Sequence, residues 1–291
     1  MDELELKLEI AEEYEAEKKY LFAVQIYTQL LAEKREVRRV TLRLAHLYEK
    51  MKLYEKANTL IEKYLDSHPD DNQTRNLFAQ FLIRTKQFDL VQKLFHEVEI
   101  PETSPESFYF LGVASAESGK MIEAKDLFTK YLANKKAEKF RTNALFLLTE
   151  ISIRLNLLDD ALANVEILEK SNDADPGRVY YLYAKIYHLK GLNFYAQDSI
   201  IRSLKRNFIT RDSYFLAGKI FMEVEEFEQA EVYLEKAMNE NEPTPEVISL
   251  LGFVNINKHN FDKAEKFMAM ALKLNPYDET VLALKRTLLN N

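Results

Sequence analysis

FEQAEVYL at residues 227–234 and FDKAEKFM at residues 261–268 are two copies of one pattern, an aromatic residue followed three positions later by alanine. Six further stretches fit the pattern more loosely. Its central small residue recurs at Ala23, Ala57, Val91, Ala124, Ala161, Ala196, Ala230 and Ala264, with separations of 34, 34, 33, 37, 35, 34 and 34 residues. A nearly constant period of this length indicates a tandem array of small structural units.

A second set of positions lies twelve residues before the first. It holds mostly small residues, which are Ala11, Ala45, Ala79, Gly112, Thr149, Ala184, Gly218 and Gly252. Small residues at both places let two helices of a hairpin approach closely, while larger neighbours fill the space beside them. Gly119 and Gly191 fall at the turn between helices, and all seven prolines fall at junctions between units. Since proline inside a helix costs about 3 kcal/mol, this distribution supports the same frame.

The period, with a helical pattern on both sides of a short turn, resembles the tetratricopeptide repeat family over residues 4–278. The family's tyrosine-like position is matched by Tyr14, Tyr48, Tyr187 and Phe221, and it is lost at Leu82, Ser115, Ser152 and Asn255. The resemblance implies an all-α fold, a right-handed α-α superhelix of stacked helical hairpins with one concave face. The predicted repeats of this single solenoid are 4–37, 38–71, 72–105, 105–138, 142–175, 177–210, 211–244 and 245–278. Residues 279–291 are predicted to be a polar capping helix and the C-terminus, because Lys285 and Arg286 occupy the packing positions.

Composition limits the classes of function. The chain is 47% hydrophobic and 30% charged, which is typical of a folded domain, and it has no cysteine for disulfides or thiolate sites. Its net charge of −7 argues against general nucleic-acid binding. No apolar run approaches the length of a membrane span, and the N-terminus is acidic where a secretory signal would be basic and apolar. We expect a cytoplasmic protein, although a signal peptide that had been removed would leave no trace here.

The sequence shows no pattern of catalytic or metal chemistry. Its five histidines form no zinc-binding pair, and no phosphate-binding or nucleophile motif occurs. We therefore predict no catalytic, cofactor or metal site. The family's two-carboxylate clamp for chaperone tails needs Lys and Asn at the fifth and ninth positions of a first helix. No repeat carries that pair, so a chaperone-tail receptor of this type is disfavoured.

The fifth positions carry a series of aromatic residues instead. They are Tyr109, Phe146, Tyr181 and Phe215 in four successive repeats, and Phe253 enters one turn later in the next repeat. In the family such positions line the concave face. In RVYYLYAKIY (178–187), Tyr180, Tyr183 and Tyr187 share one helix face that we assign to the core, whereas Tyr181 lies off that face. The prediction is an aromatic ladder along the groove. The alternative is that these rings pack between helices as core.

Charge concentrates in the same region. Residues 178–211 hold seven Lys and Arg against Asp198 alone, and Arg178, Lys185, His188 and Lys219 are expected to face the groove. The alternative is ordinary charge scatter on a solvated face. We predict a non-catalytic adaptor that binds an extended or helical partner segment with apolar anchors and acidic residues. The family resemblance suggests a role in assembly of a bacterial pilus, flagellum or secretion complex.

Two other functions remain open at this point. Residues 2–17 and 223–246 are strongly acidic, so the first helix of one molecule and the basic sixth repeat of another would form a head-to-tail homo-oligomer. A constant monomer mass in light scattering would exclude that scaffold. Tyr181 and Phe215 beside basic residues would also suit single-stranded nucleic acid, which a single-strand titration would test.

Overall fold

A computed structural model describes residues 3–96, 98–101, 103–240 and 242–289. Within these residues the secondary structure is seventeen helices and no strand. They are α1 (Glu3–Ala16), α2 (Tyr20–Ala32), α3 (Val37–Lys50), α4 (Tyr54–Ser67), α5 (Asn72–Arg84), α6 (Phe88–Leu94), α7 (Glu106–Glu117), α8 (Met121–Ala133), α9 (Arg141–Arg154), α10 (Leu158–Glu169), α11 (Pro176–Leu189), α12 (Asn193–Lys205), α13 (Arg211–Glu223), α14 (Phe227–Asn239), α15 (Pro245–Asn257), α16 (Phe261–Leu274) and α17 (Glu279–Leu289). The predicted all-α class of paired helices is confirmed.

The chain divides into two compact units. The N-terminal unit, Met1–Glu138, contains the hairpins α1–α2, α3–α4, α5–α6 and α7–α8. The C-terminal unit, Lys139–Asn291, contains α9–α10, α11–α12, α13–α14, α15–α16 and the final helix α17. The irregular 37-residue separation between Ala124 and Ala161 falls at this division. Each predicted repeat overlaps one helix pair, although α1, α3, α9 and α11 begin one residue earlier than the predicted bounds. The bounds and a single solenoid over 4–278 stay predictions.

Close helix contact inside each hairpin depends on the repeated small residues. All eight members of the first set, from Ala23 to Ala264, are completely buried. A Cβ added at Gly218 would lie 2.5 Å from Leu234 Cγ, so α13 and α14 touch where a side chain is missing. At Gly252 the space is taken by Leu284 of α17, which covers the last hairpin while Lys285 and Arg286 face solvent.

Each hairpin turn has one residue in the left-handed backbone conformation, at the same position of the turn. The residues with positive φ at the eight turns are Lys18, Lys52, Lys86, Gly119, Asn156, Gly191, Glu225 and His259. The next N–H then bonds back across the turn, as in Leu192 N to Tyr187 O at 2.8 Å, which is the Schellman geometry. At six of the eight turns this residue is not glycine, so the glycines of the sequence indicated only two of the turns.

Alanine at two glycines is predicted to separate these constraints. Gly218→Ala is expected to lower the free energy of unfolding by about 1–3 kcal/mol, because its Cβ would overlap Leu234. The Cβ added in Gly191→Ala would meet no atom within 4 Å, and only the positive φ at this position disfavours alanine. A loss of about 1 kcal/mol in the free energy of unfolding is therefore expected. Urea unfolding of both variants measures the difference. A Gly191→Ala loss as large as that of Gly218→Ala would contradict the packing argument.

A buried carboxylate joins three helices of the C-terminal unit. Glu231 of α14 accepts hydrogen bonds from Lys258 at 2.6 Å, from Asn255 at 3.1 Å and from Lys263. Burial alone would raise the pKa of Glu231, but these hydrogen bonds outweigh it and lower the pKa to about 2. The ionised form is therefore held in the folded state, which ties the seventh hairpin to the eighth.

We predict an acid-dependent loss of stability at this cluster. The folded pKa of about 2 lies below the ordinary 4.5, so the contribution is complete above pH 4.5 and is lost as pH falls toward 2. After allowance for solvent screening it amounts to about 1–3 kcal/mol. Glu231→Gln should remove that part of the pH dependence in denaturant titrations between pH 7 and pH 2. The control is Glu235→Gln, whose half-exposed carboxylate lies 3.3 Å from Lys263 Nζ. An unchanged pH profile in Glu231→Gln would contradict the assignment.

Candidate functional site

Four of the five predicted ladder rings lie on the first helices of hairpins in the C-terminal unit. Phe146 is on α9, Tyr181 on α11, Phe215 on α13 and Phe253 on α15. Phe146 is only 3% exposed and so presents no open ring surface, whereas the other three are half-buried. The structure thus combines the two sequence-based alternatives, because each ring packs against the core and three keep part of their surface accessible.

Neighbouring residues account for the buried part of these rings. The Tyr181 ring packs against Phe208 with centroids 5.2 Å apart, and burial raises the pKa of Tyr181 to about 12. Phe253 packs beside Ile256 and Leu284. These contacts fix the orientation of the rings, and the accessible edges are rigid.

Tyr109 lies on α7 of the N-terminal unit, and it is half-buried too. Its ring meets Phe128 and Tyr131 with centroids 5.9 Å and 5.6 Å apart, and burial raises its pKa. Its role as a groove residue stays a prediction, as do those of the four rings in the C-terminal unit.

Three of the four predicted basic groove residues are paired with acids of a neighbouring first helix. Arg178 Nη2 of α11 lies 2.7 Å from Glu150 Oε1 of α9. His188 Nδ1 of α11 lies 3.1 Å from Glu223 Oε2 of α13. Lys219 Nζ of α13 lies 3.9 Å from Glu246 Oε1 of α15. These pairs link α9, α11, α13 and α15 along one surface, here named the first-helix face.

Two cations of the first-helix face also cover rings of the ladder. The Arg178 guanidinium lies 4.1 Å from the centre of the Phe146 ring, and Lys219 Nζ lies 5.4 Å from that of Phe215. The shorter distance at Phe146 is in keeping with a planar guanidinium, which stacks more closely on a ring than an ammonium group does.

Lys185 is the exception among these cations. It is half-buried on α11 and makes no hydrogen bond or ion pair within the described part of the chain. Tyr181 and Lys185 occupy the same two repeat positions as Phe215 and Lys219, 34 residues later. The first-helix face therefore shows the same ring–lysine pair on α11 and again on α13.

The other tyrosines of the 178–187 stretch form a separate column. Tyr183 stacks on Tyr187 with centroids 5.8 Å apart, and Tyr187 meets Tyr195 at 5.6 Å. The Tyr183 hydroxyl donates to Glu169 of α10 at 2.9 Å. This column and Tyr181 lie on different sides of α11, as the helical spacing predicted.

The basic residues of 178–211 do not form one patch. Arg202 and Arg206 of the α12 region lie over Tyr180, 5.6 Å and 5.2 Å from its ring centre, and Arg202 also pairs with Asp198 at 2.8 Å. Because Tyr180 is off the side that bears Tyr181, these charges are separate from those of the first-helix face. This division reduces the positive charge available to a single-stranded nucleic acid, and that alternative stays a prediction.

Similar pairs join first helices of the N-terminal unit, and sequence reasoning missed them. Arg43 of α3 donates to Glu12 of α1 at 3.0 Å, and Arg84 of α5 donates to Glu49 of α3 at 2.8 Å. These pairs could have been predicted from the repeat frame, because it places the acids and the arginines on facing sides of adjacent first helices. Glu12 is also one of the acids proposed for head-to-tail assembly, which likewise stays a prediction.

Removal of the Arg178 side chain is predicted to expose Phe146. Arg178→Ala should lower the free energy of unfolding by about 1–2 kcal/mol, because a stacked cation and a partly exposed ion pair are lost together. Arg154→Ala is the control, since Arg154 is exposed on α9 and makes no contact within the described residues. Its effect should stay within about 0.5 kcal/mol. Guanidinium unfolding of both variants measures this, and equal effects would contradict a stabilising role of the stacked pair.

Two classes of site are not found in the described residues. No group of three or more acidic or histidine side chains there is arranged to hold a metal ion. None of the helices described above combines the length and apolar character that crossing a membrane requires.

Comparison with protein families gives two matches. Family models described as tetratricopeptide repeat match residues 14–81 and residues 212–243, one in each unit. With the paired helices and their period, these matches identify the chain as a tetratricopeptide repeat protein. No curated protein matches the sequence significantly.

Solved structures show the same architecture at low sequence identity. A chain of the APC/C hetero-tetramer Cut9–Hcn1 is 13% identical, with a TM-score of 0.64. The match covers 99% of this chain and 57% of that chain. Pseudomonas aeruginosa pilF is 11% identical, with a TM-score of 0.62. The match covers 74% of this chain and 97% of that chain. At such identities the likeness shows the fold alone.

Proposed function

We propose that the chain is a non-catalytic adaptor that binds a segment of a partner protein on the first-helix face. Tetratricopeptide repeats are in general protein-interaction scaffolds, and this chain shares that coarse role. The proposal adds the surface, the residues and the chemistry of the segment. Among the other predicted groove residues, Phe253 of α15 extends the surface beyond its centre, while Phe146 lies beneath Arg178 and Tyr109 belongs to the N-terminal unit.

The observation that supports the proposal is the repeated ring–lysine pair. Tyr181 with Lys185, and Phe215 with Lys219, each place a half-buried ring one helical turn from an ammonium group. Rings that are partly buried by their neighbours are rigid, so little conformational entropy is lost on binding. Lys185 has no acid of its own, and Lys219 is only 3.9 Å from Glu246 in a half-exposed pair.

The repeat spacing sets the form of the partner segment. Packed helices lie about 8–10 Å apart, so the two ammonium groups recur at about that interval. An extended segment rises about 3.3 Å per residue, which matches acidic residues about three positions apart. A helical segment rises about 1.5 Å per residue, which matches acids about six or seven positions apart. In either form, apolar side chains between the acids would meet the rings.

The remaining parts of the proposal rest on the family resemblance and the sequence. They are a cytoplasmic location and a role in assembly of a larger bacterial complex of the pilus, flagellum or secretion type. Paired acids on the first-helix face, such as Glu150 and Glu223, add specificity, because they repel acidic segments in the wrong register.

Charge reversal at Lys185 is predicted to weaken binding. Random 16-residue peptides would be selected on the full chain by display, and fluorescence anisotropy would then compare wild type with Lys185→Glu. An acidic–apolar peptide should bind Lys185→Glu at least about tenfold more weakly at low salt, with a smaller difference at high salt. Truncation in Tyr181→Ala or Phe215→Ala should cost about 2 kcal/mol of binding free energy.

Lys205→Glu is the matched control for charge. Lys205 is exposed on α12 and has no partner within the described residues, so its reversal changes net charge equally but leaves the first-helix face intact. Peptides that bind wild type, Lys185→Glu and Lys205→Glu with one affinity would refute the proposed surface.

A further inference from the structure

A cavity of about 260 Å³ lies inside the N-terminal unit, between α3, α4 and α5. Its walls are mostly apolar and its mouth is polar. The residues that line it are Leu42, Ala45, His46, Glu49, Ala57, Ile61, Leu77, Phe78, Gln80, Phe81 and Arg84. The cavity is separate from the first-helix face of the C-terminal unit, and nothing in the proposed function uses it.

The repeat pattern explains why space is left here. In the N-terminal unit the residue four positions after the central small residue is Tyr27, Ile61, Phe95 or Phe128 in the four hairpins. The three rings are buried, and Ile61 is the one aliphatic residue of the set. Ile61 lines the cavity, so part of the empty volume borders the position at which the other three hairpins of the unit carry a ring.

Polar contacts anchor both ends of α5, the helix that forms one wall of the cavity. At one end of α5, Asp71 accepts hydrogen bonds from Arg38 at 3.0 Å and from Tyr64 at 2.8 Å. At the other end, Arg84 donates to Glu49 of α3 at 2.8 Å. Between these ends the stacked rings of Phe78 and Phe81 stiffen the cavity wall on α5. A pocket with a wall anchored in this way is preorganised for an occupant.

Size and charge select the class of occupant. The volume exceeds the roughly 150 Å³ of an apolar cavity that binds benzene, and it is below the roughly 300 Å³ at which sites for drug-sized ligands begin. At the mouth Arg84 and Glu49 neutralise each other, so no net charge favours an anionic or cationic ligand. The Gln80 amide there forms no hydrogen bond within the described residues and suits a peptide group.

From these observations we infer that the cavity is a docking site for one uncharged aromatic side chain, of the phenylalanine or tyrosine type, from a partner protein. The ring enters past Leu77, which is 46% exposed, and packs over Ile61, beside the position at which the other three hairpins of the unit carry a ring. The inference relies on the proposed function only in taking the ring's owner to be a protein.

The test uses N-acetyl-L-phenylalaninamide as a neutral probe and N-acetyl-L-alaninamide as its matched control. Methyl NMR spectra of the full chain should show saturable shifts at Leu42, Ile61 and Leu77 with the first compound, at concentrations of about 1 mM, and none with the second. No shift up to the solubility limit, equal binding of both compounds, or shifts confined to other residues would overturn the inference.

Two variants locate the site. Ile61→Phe supplies the missing ring from within the chain and should weaken probe binding at least about tenfold while the helix content and melting temperature are retained. Leu77→Glu places a charge at the mouth on an exposed position, so it keeps the test valid if Ile61→Phe fails to fold. Leu21→Glu, an exposed leucine of α2, should bind as wild type. Undiminished binding in Leu77→Glu and in folded Ile61→Phe would refute the cavity as the site.

The two proposals can fail independently. Lys185→Glu should leave probe binding in the N-terminal unit unchanged, and Ile61→Phe should leave the affinity of acidic–apolar peptides for the first-helix face unchanged. Loss of probe binding in Lys185→Glu would contradict the cavity as a separate site.

Discussion

Close contact between the two helices of each hairpin is the constraint on which the structure depends. The eight small residues from Ala23 to Ala264 are fully buried, and at Gly218 a single added carbon would overlap Leu234. Such a contact leaves one relative placement of the helices, and the left-handed turn residue between them supplies it. Because the placement repeats, the first helices of successive hairpins within each unit come to lie beside one another, and the first-helix face is built from their exposed sides.

Side-chain charge on those surfaces is governed by the neighbouring hairpin. Arg178 meets an acid from the preceding first helix, His188 and Lys219 each meet one from the following first helix, and Glu12 and Glu49 meet arginines in the N-terminal unit. A count of charges along the sequence therefore overstates the positive charge that a partner would meet. What remains is a face of paired charges with Lys185 as its unpaired member, and this favours recognition of charge position over attraction of polyanions.

The sequence predicted the all-α fold of paired helices, because the period and the small residues follow directly from close helix packing. It also separated Tyr181 from Tyr180, Tyr183 and Tyr187, since helical spacing alone assigns them to different sides. It did not predict the stacking of Arg178 on Phe146, because that contact depends on the distance between two hairpins. The six non-glycine turn residues, such as Lys52 and Glu225, were equally hidden, since a lysine or glutamate carries no local signal for positive φ.

Function in a repeat protein is most plausible where a repeat departs from the common pattern for no structural benefit. Ile61 is an exception within its own unit: the other three hairpins there carry a ring at that position, whereas the second hairpin keeps a smaller residue and an open cavity. Lys185 is another, because an acid opposite it would complete the series of pairs on the first-helix face. An unfilled cavity reduces the stability of the free chain, and Lys185 is a cation for which the described part of the chain supplies no acid. Both deficits would be relieved by a bound protein, and this gives the two sites a common physical basis.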